Sequence, residues 1–290
     1  MGLRKYRTMV GDFETTVYDG QKTTEVWASA IVELYTEEVK IFNSIDETFE
    51  YLASAKGNII LYYHNLKFDG AFWLSYLLVD RNFQQAVEKT GERINDVQWL
   101  NDKQMKNKTF KYSISDKGQF YSITIKINGK YIQIRDSLKL LPFSVKKIGK
   151  SFETKHKKLE MEYTGFRYSG CKITDEEKEY IKNDVLIVAK ALNILFSENL
   201  TKMTSASNAL NDYKEIIGKN KFSHWFTNLD YNVDKDIRQS YKGGFTYLNP
   251  IYKEKIVENI NVLDVNSLYP SVMQFCKMPI RWTYIFWRWV

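Results

Sequence analysis

Cysteine and proline are both scarce in this chain: Cys171 and Cys276 are its only thiols, and four prolines serve 290 residues. Two cysteines so far apart exclude a disulfide framework and a zinc cluster, and both read as reduced thiols of a cytosolic protein. No uninterrupted apolar run approaches the ~20 residues of a membrane span, and the opening Met1-Gly2-Leu3-Arg4-Lys5-Tyr6 lacks the apolar stretch of a signal peptide. A membrane partner is therefore not expected. No internal repeat or low-complexity block is present. What the chain does contain is apolar and aromatic side chains, 44% and 15% of the total, enough to bury a core in one large or two modest domains. Its 42 Lys and Arg against 35 Asp and Glu leave a charge of +7, which suits a polyanionic partner without identifying one.

Alternating apolar residues over Tyr6 to Phe13, Val26 to Leu34 and Val39 to Phe42 predict three strands, followed by an amphipathic helix from Asp46 to about Ala55. Asn58 to Tyr63 reads as a buried strand and Phe68 to Leu78 as a buried helix. The polar stretch from Asn82 to Lys108 is weakly periodic and reads as an exposed excursion. Strands are expected at Phe110 to Ile114, Phe120 to Ile127 and Tyr131 to Arg135, the last two joined by the two-residue turn Asn128-Gly129. Asp175-Glu176-Glu177 opens a helix running to about Asn199, its acids placed where the helix dipole favours them. The expected architecture is α/β, with a domain boundary near residue 200.

Three acidic constellations stand out. Asp12 and Glu14 are two apart on a strand, so both carboxylates leave the same face and repel unless a cation lies between them. Oxygen-only ligands favour Mg²⁺ or Mn²⁺. Asn65-Leu66-Lys67-Phe68-Asp69 lies where a strand ends and a helix begins, a common place for sites in α/β sheets. Tyr180 and Asp184 share a helix face at i, i+4. Each alone also has a plain structural explanation: an exposed strand face, a helix N-cap, a solvated stripe.

Taken in order, the three resemble the exonuclease motifs of proofreading DNA polymerases. The stretches Asp12-Phe13-Glu14-Thr15-Thr16, His64 to Phe72 and Asp136 to Phe143 look like the protein-primed branch of family B from small tailed phages. That resemblance implies an RNase H-like exonuclease domain over residues 1–200, with a mixed sheet flanked by helices. It implies that Asp12, Glu14, Asp69 and Asp184 hold two divalent ions, Mg²⁺ or Mn²⁺, that Tyr180 positions the attacking water and that Lys158 lies near the scissile phosphate. By the same carry-over Thr15, His64, Asn65, Phe68, Phe72, Ser137, Leu138 and Tyr163 grip the single-stranded 3′ end, where aromatic faces stack on bases regardless of sequence.

The resemblance continues beyond the exonuclease. Tyr241-Lys242-Gly243-Gly244-Phe245 is similar to the element joining exonuclease to palm, and Asp264-Val265-Asn266-Ser267-Leu268-Tyr269-Pro270 to the first metal-binding motif of the palm. It implies that Asp264 and the Val265 carbonyl are metal ligands and that Tyr269 lies under the incoming sugar, with residues 201–278 forming linker and early palm. Only twenty residues follow Pro270, and the second palm carboxylate that a two-metal site needs is not among them. Polymerisation by this chain alone is therefore not expected. Residues 279–290 crowd three tryptophans into their last nine positions and do not read as palm, as a frameshift or premature end would explain. The expected protein is thus a cytoplasmic, monomeric 3′→5′ exonuclease of a phage, prophage or plasmid replication system. Its expected partners are single-stranded 3′ ends, primer-template DNA and a terminal primer protein. Two rival readings are a non-catalytic module that binds single-stranded DNA or terminal protein, against which the intact carboxylates argue, and one half of a split polymerase.

Overall fold

The computed structural model describes residues 6–18, 20–92, 96–161, 166–240 and 246–277. Tyr163, the Tyr241 to Phe245 element and the 279–290 tail lie outside them. The chain forms two compact units, Met1–Ala209 and Leu210–Val290.

In the first unit, β1 (Tyr6–Thr15), β2 (Val26–Glu33) and β3 (Val39–Phe42) form an antiparallel meander. After α1 (Ile45–Ser54), β4 (Asn58–Tyr63) returns parallel to β1, and β10 (Lys130–Asp136) runs parallel to β4. The C-terminal ends of β1, β4 and β10 therefore share one edge, the position where α/β sheets build sites. Beyond β10 the sheet continues through β9 (Phe120–Ile127) and β8 (Thr109–Ile114) to the two-residue β5 (Gln84–Gln85), giving the order β3-β2-β1-β4-β10-β9-β8-β5.

The strand period sorts side chains to two cores. Met9 and Phe13 of β1 pack with Phe49 and Leu52 of α1 and with Leu66 and Trp73 of α2 (Leu66–Ser75). Val10 faces the opposite side, where α3 (Val145–Ser151) and α4 (Asp175–Ser197) contribute Ile148, Ile181, Val185 and Leu192. Thr174 caps α4 and Glu177 reaches back to complete a capping box, so the helix that brings Tyr180 and Asp184 has a fixed start. Gly11 is needed for close packing: a Cβ there would meet the Tyr63 ring at 3.0 Å.

Several elements differ from the sequence reading. The 82–108 stretch is not simply an exposed excursion. It adds β5 to the sheet, pairs β6 (Val87–Lys89) with β7 (Val97–Trp99), and buries Ala86 and Met105 against Tyr131. Strands of two or three residues are too short to show a period. Helix α2 begins two residues earlier than Phe68 and ends at Ser75, continuing as a π-helical turn over Tyr76–Asp80. Helix α3, a seven-residue element, had no sequence-based expectation at all.

In the second unit lie α6 (Lys219–Trp225), α7 (Tyr231–Ser240) and α8 (Leu268–Phe275), while α5 spans Ser205–Ile217. Among the described residues no helix is long and apolar enough to cross a membrane.

Candidate functional site

At the shared strand edge, Asp12 and Glu14 project from β1 toward α4, and Asp184 of α4 meets them: ligand oxygens of these three carboxylates all lie within 4.8 Å of one another. The sequence leaves room for this. Asp12 pairs across the sheet with Ala30 and Glu14 with Ala28, both buried and too small to fill the space above the strand. A cavity of about 240 Å³ opens here, lined by Asp12, Glu14, Lys158, Tyr180, Asp184 and His64 among others.

Asp69 is not a member of that trio. It belongs to the first turn of α2 and is buried. Three of the four carboxylates implied by the resemblance share the 4.8 Å set. Asp69 still acts on the others: burial pushes the Asp12 carboxyl well above the usual range, and the charges of Asp69, Glu14 and Asp184 push it further, against the opposing pull of Lys158. Burial likewise raises Asp69 to about 8, although backbone N–H groups, including that of Phe13, oppose the rise. Asp184 is also raised by burial, with Lys158 opposing.

Lys158, on the irregular segment after α3, donates to the Tyr180 hydroxyl at 2.7 Å and forms an ion pair with Asp184. Its ammonium also lies 4.2 Å from the Tyr180 ring centre. An ammonium only donates, so the Tyr180 oxygen accepts and its own O–H stays available for another partner. The electrostatic balance remains acidic, with four carboxylates against one ammonium. Asp69 Oδ1 and Asp184 Oδ1 are buried without a hydrogen-bond partner. Buried, unpaired carboxylate oxygens are costly unless a cation compensates them, and an all-oxygen set suits a hard divalent ion. The residues fit such a group.

The strand-gripping candidates are unequal. Phe68 is 49% exposed and meets Phe72 edge-on, 5.4 Å between ring centres, whereas Phe72 packs against the core. Asn65 is exposed and sits in the left-handed region at φ 70°, which turns the chain from β4 into α2. Thr15 is buried and Leu138 half-buried. Ser137 is fully buried, its hydroxyl donating to the Tyr63 carbonyl and lying 3.0 Å from His64 Nδ1, so it reaches a strand only through His64. His64 Nε2 lies 2.7 Å from the Phe143 carbonyl, so both ring nitrogens are engaged within the protein and only the ring itself is left for a ligand.

Sequence reasoning passed over Asp136, naming it only as the first residue of a motif. Its Oδ1 accepts from the backbone N–H groups of Asn65, Leu66 and Leu138 at 3.1, 3.2 and 3.0 Å. One buried carboxylate oxygen thus pins the Asn65 turn to the turn that follows β10. The position of Asp136 at a strand end, with two polar turns nearby, was the available signal.

The palm-like residues are placed differently. Asp264, Val265 and Tyr269 are exposed in the second unit, and the sole cluster of three or more potential metal-binding groups among the described residues is Asp12, Glu14 and Asp184. Asp264 thus belongs to no cluster of three or more such groups among the described residues.

Comparison with known proteins places this geometry in a family. The sequence matches the family DNA polymerase type B, organellar and viral, over residues 52–171 and 167–287. It is 41% identical over 274 residues to the DNA polymerase of Bacillus phage M2, covering 92% of this chain and 44% of that protein. With the DNA polymerase of Streptococcus phage Cp-1 it shares 30% over 287 residues, 93% of this chain and 45% of the relative. The structure of phi29 DNA polymerase complexed with primer-template DNA and incoming nucleotide substrates matches 87% of this chain with a TM-score of 0.72 at 38% identity, using 41% of that chain. The complex of phi29 polymerase with single-stranded DNA matches with a TM-score of 0.71 at the same identity, covering 87% of this chain and 42% of that one. The chain thus spans less than half the length of these relatives. With the mixed sheet, the acidic edge and the sequence match agreeing over most of its length, the chain belongs to the type B DNA polymerases of organelles and viruses.

Proposed function

We propose that this chain removes nucleotides from the 3′ end of single-stranded DNA by metal-dependent hydrolysis. The observation that carries this reading is the trio of half-buried Asp12 with buried Glu14 and Asp184, with buried Asp69 beside it and two carboxylate oxygens lacking partners. Asp12, Glu14 and Asp184 would hold divalent cations, with Asp69 near enough to complete the set. Bound Mg²⁺ or Mn²⁺ supplies activation of water and neutralisation of charge on the phosphate.

The remaining groups belong to the chain itself. Lys158 places a positive charge between Tyr180 and Asp184, where a phosphate held at the carboxylates would develop negative charge. Tyr180, its oxygen occupied by Lys158, directs its O–H toward the cavity's occupant and orients the water. Phe68 offers an exposed ring for stacking on a base, worth ~1–3 kcal/mol without regard to sequence. The solved relative complexed with single-stranded DNA supports this choice of substrate. Because Asp264 joins no carboxylate cluster among the described residues, we assign hydrolysis rather than templated synthesis to this chain. Primer-template DNA, which the solved phi29 polymerase complex holds, and a terminal protein are the further partners proposed for this chain.

A 5′-labelled single-stranded oligonucleotide incubated with the chain and Mn²⁺ is expected to shorten stepwise from its 3′ end, and EDTA to stop it. The double variant Asp12→Ala, Glu14→Ala is expected to bind the oligonucleotide normally while hydrolysing it roughly a hundredfold more slowly or worse, since metal ions contribute several kcal/mol of transition-state stabilisation. Cleavage at the original rate by that variant would overturn the assignment.

A further inference from the structure

Lys158 lies on a segment without regular structure, yet its ammonium is held against both Tyr180 and Asp184. A long, flexible amine keeps such a position only when its backbone is held, because lysine carries more rotamer freedom to lose than most side chains. The segment is tied at alternate residues. Thr154 is buried at the end of α3, where its backbone N–H donates to the Gly149 carbonyl at 3.1 Å, and its hydroxyl donates to the His156 carbonyl at 2.6 Å. His156 Nδ1 then lies 2.9 Å from Asn183 Oδ1 on α4. Lys155 and Lys157, between these ties, are exposed.

The amide of Asn183 sets the direction of that hydrogen bond. Its Nδ2 donates to the Glu179 carbonyl at 2.8 Å, one turn back along α4, so its oxygen is the atom that faces His156. An amide oxygen only accepts, and His156 therefore carries its proton on Nδ1. Asn183 is itself 5% exposed and immediately precedes Asp184. The tie thus joins the segment carrying Lys158 to the helix carrying both of that lysine's partners, one residue from the carboxylate.

We propose that the His156–Asn183 hydrogen bond is a latch that positions Lys158 at the scissile phosphate, making His156 a positioning residue that acts through Lys158. The proposal rests on the exonuclease reading above. A latch of this kind fixes where the ammonium sits without touching DNA, so its loss lowers turnover and leaves binding alone.

The test measures kcat and KM on 5′-labelled oligothymidylate with Mn²⁺, together with melting temperature, for the full chain and five variants. His156→Ala is expected to lower kcat by about tenfold to a hundredfold, the range a displaced catalytic group produces, with KM within about twofold. His156→Asn keeps an N–H donor near the position of Nδ1 and is expected to restore most of the rate; it also serves if His156→Ala folds poorly. The deciding comparison uses Lys158→Ala. In that background His156→Ala is expected to change kcat by less than about twofold, because there is no ammonium left to position. An equal further loss there, or an undiminished kcat in His156→Ala alone, would overturn the latch. Failure of the unaltered chain to cleave, or cleavage that survives Asp12→Ala with Glu14→Ala, would instead overturn the exonuclease reading on which the latch depends.

Discussion

A single oxygen of Asp136 accepts three backbone hydrogen bonds, from Asn65, Leu66 and Leu138. That makes its removal more serious than its absence of direct chemistry implies. Asp136→Ala leaves three N–H groups to find other partners at the turn presenting Asn65 and Phe68. Leaving a buried donor unsatisfied costs ~1–3 kcal/mol, more when the lost partner was charged. We expect Asp136→Ala to lose roughly 2–4 kcal/mol of stability, read by urea titration, and to weaken capture of single-stranded DNA. Asp136→Asn keeps an acceptor oxygen at the same place and loses only the charge assistance, so its loss is expected to be less than half as large. Equal losses for the two variants would show that the carboxylate charge, not the shared acceptor, holds the turns together. The same residue marks a limit of sequence reading. Asp12 and Glu14 stand out by their two-residue spacing on a strand, and Asp69 and Asp184 only through the order of motifs that carries the family resemblance. Asp136 does not, because its partners are backbone groups 71 and 70 residues away for two of its three bonds.

At the scale of elements, the long pieces were legible and the short ones were not. Helix α4 runs Asp175–Ser197 against an expectation ending near Asn199, and β9 covers the expected Phe120–Ile127. Twenty-three residues provide many turns over which an apolar stripe can repeat. The pairs β5–β8 and β6–β7 involve segments of two or three residues that are held by the tertiary ladder rather than by any local pattern. Sheet order was similarly hidden, because the insertion of β4 between β1 and β10 depends on crossovers through α1 and α2 and leaves no mark in periodicity. It is this order that brings Asp12, His64 and Asp136 to one edge. The seating of α2 on the sheet depends on Gly70, where a Cβ would lie 2.8 and 2.9 Å from two ring carbons of Phe120 in β9. Gly70→Ala is therefore expected to lift the helix slightly and cost ~1–3 kcal/mol, the range for overpacking a filled core. Because Asp69 is the neighbouring residue, hydrolysis is expected to fall with stability. Adding Phe120→Leu removes the obstructing ring edge and is expected to recover part of both; a double variant worse than either single one would show that Phe120 does not set this contact.

At the scale of the whole molecule, the two compact units differ in how they use their apolar side chains. The three core clusters draw only on residues from Tyr6 to Phe196, and among the described residues no hydrophobic side chain beyond Leu192 is buried. In the second unit Ile256, Val262 and Leu263 are 96%, 90% and 93% exposed. Every residue placed in the proposed site, from Asp12 to Asp184, also belongs to the first unit, Met1–Ala209. A chain of about 200 residues buries well over half its surface and supports its own core. Residues 1–209 alone are therefore expected to fold with a melting temperature within a few degrees of the full chain, because among the described residues no buried hydrophobic side chain is removed. Their solubility is expected to rise, since contiguous exposed apolar surface promotes association. The shortened chain is also expected to hydrolyse single-stranded DNA at a kcat within about threefold of the full chain, as the metal-holding carboxylates, Lys158 and Tyr180 are all retained. A rise in KM without a change in kcat would mean that the second unit helps hold the strand while the chemistry stays in the first. A folded 1–209 chain that binds but cannot hydrolyse would require a catalytic group from beyond Ala209, and the site built on β1, β4 and α4 would then be incomplete as described.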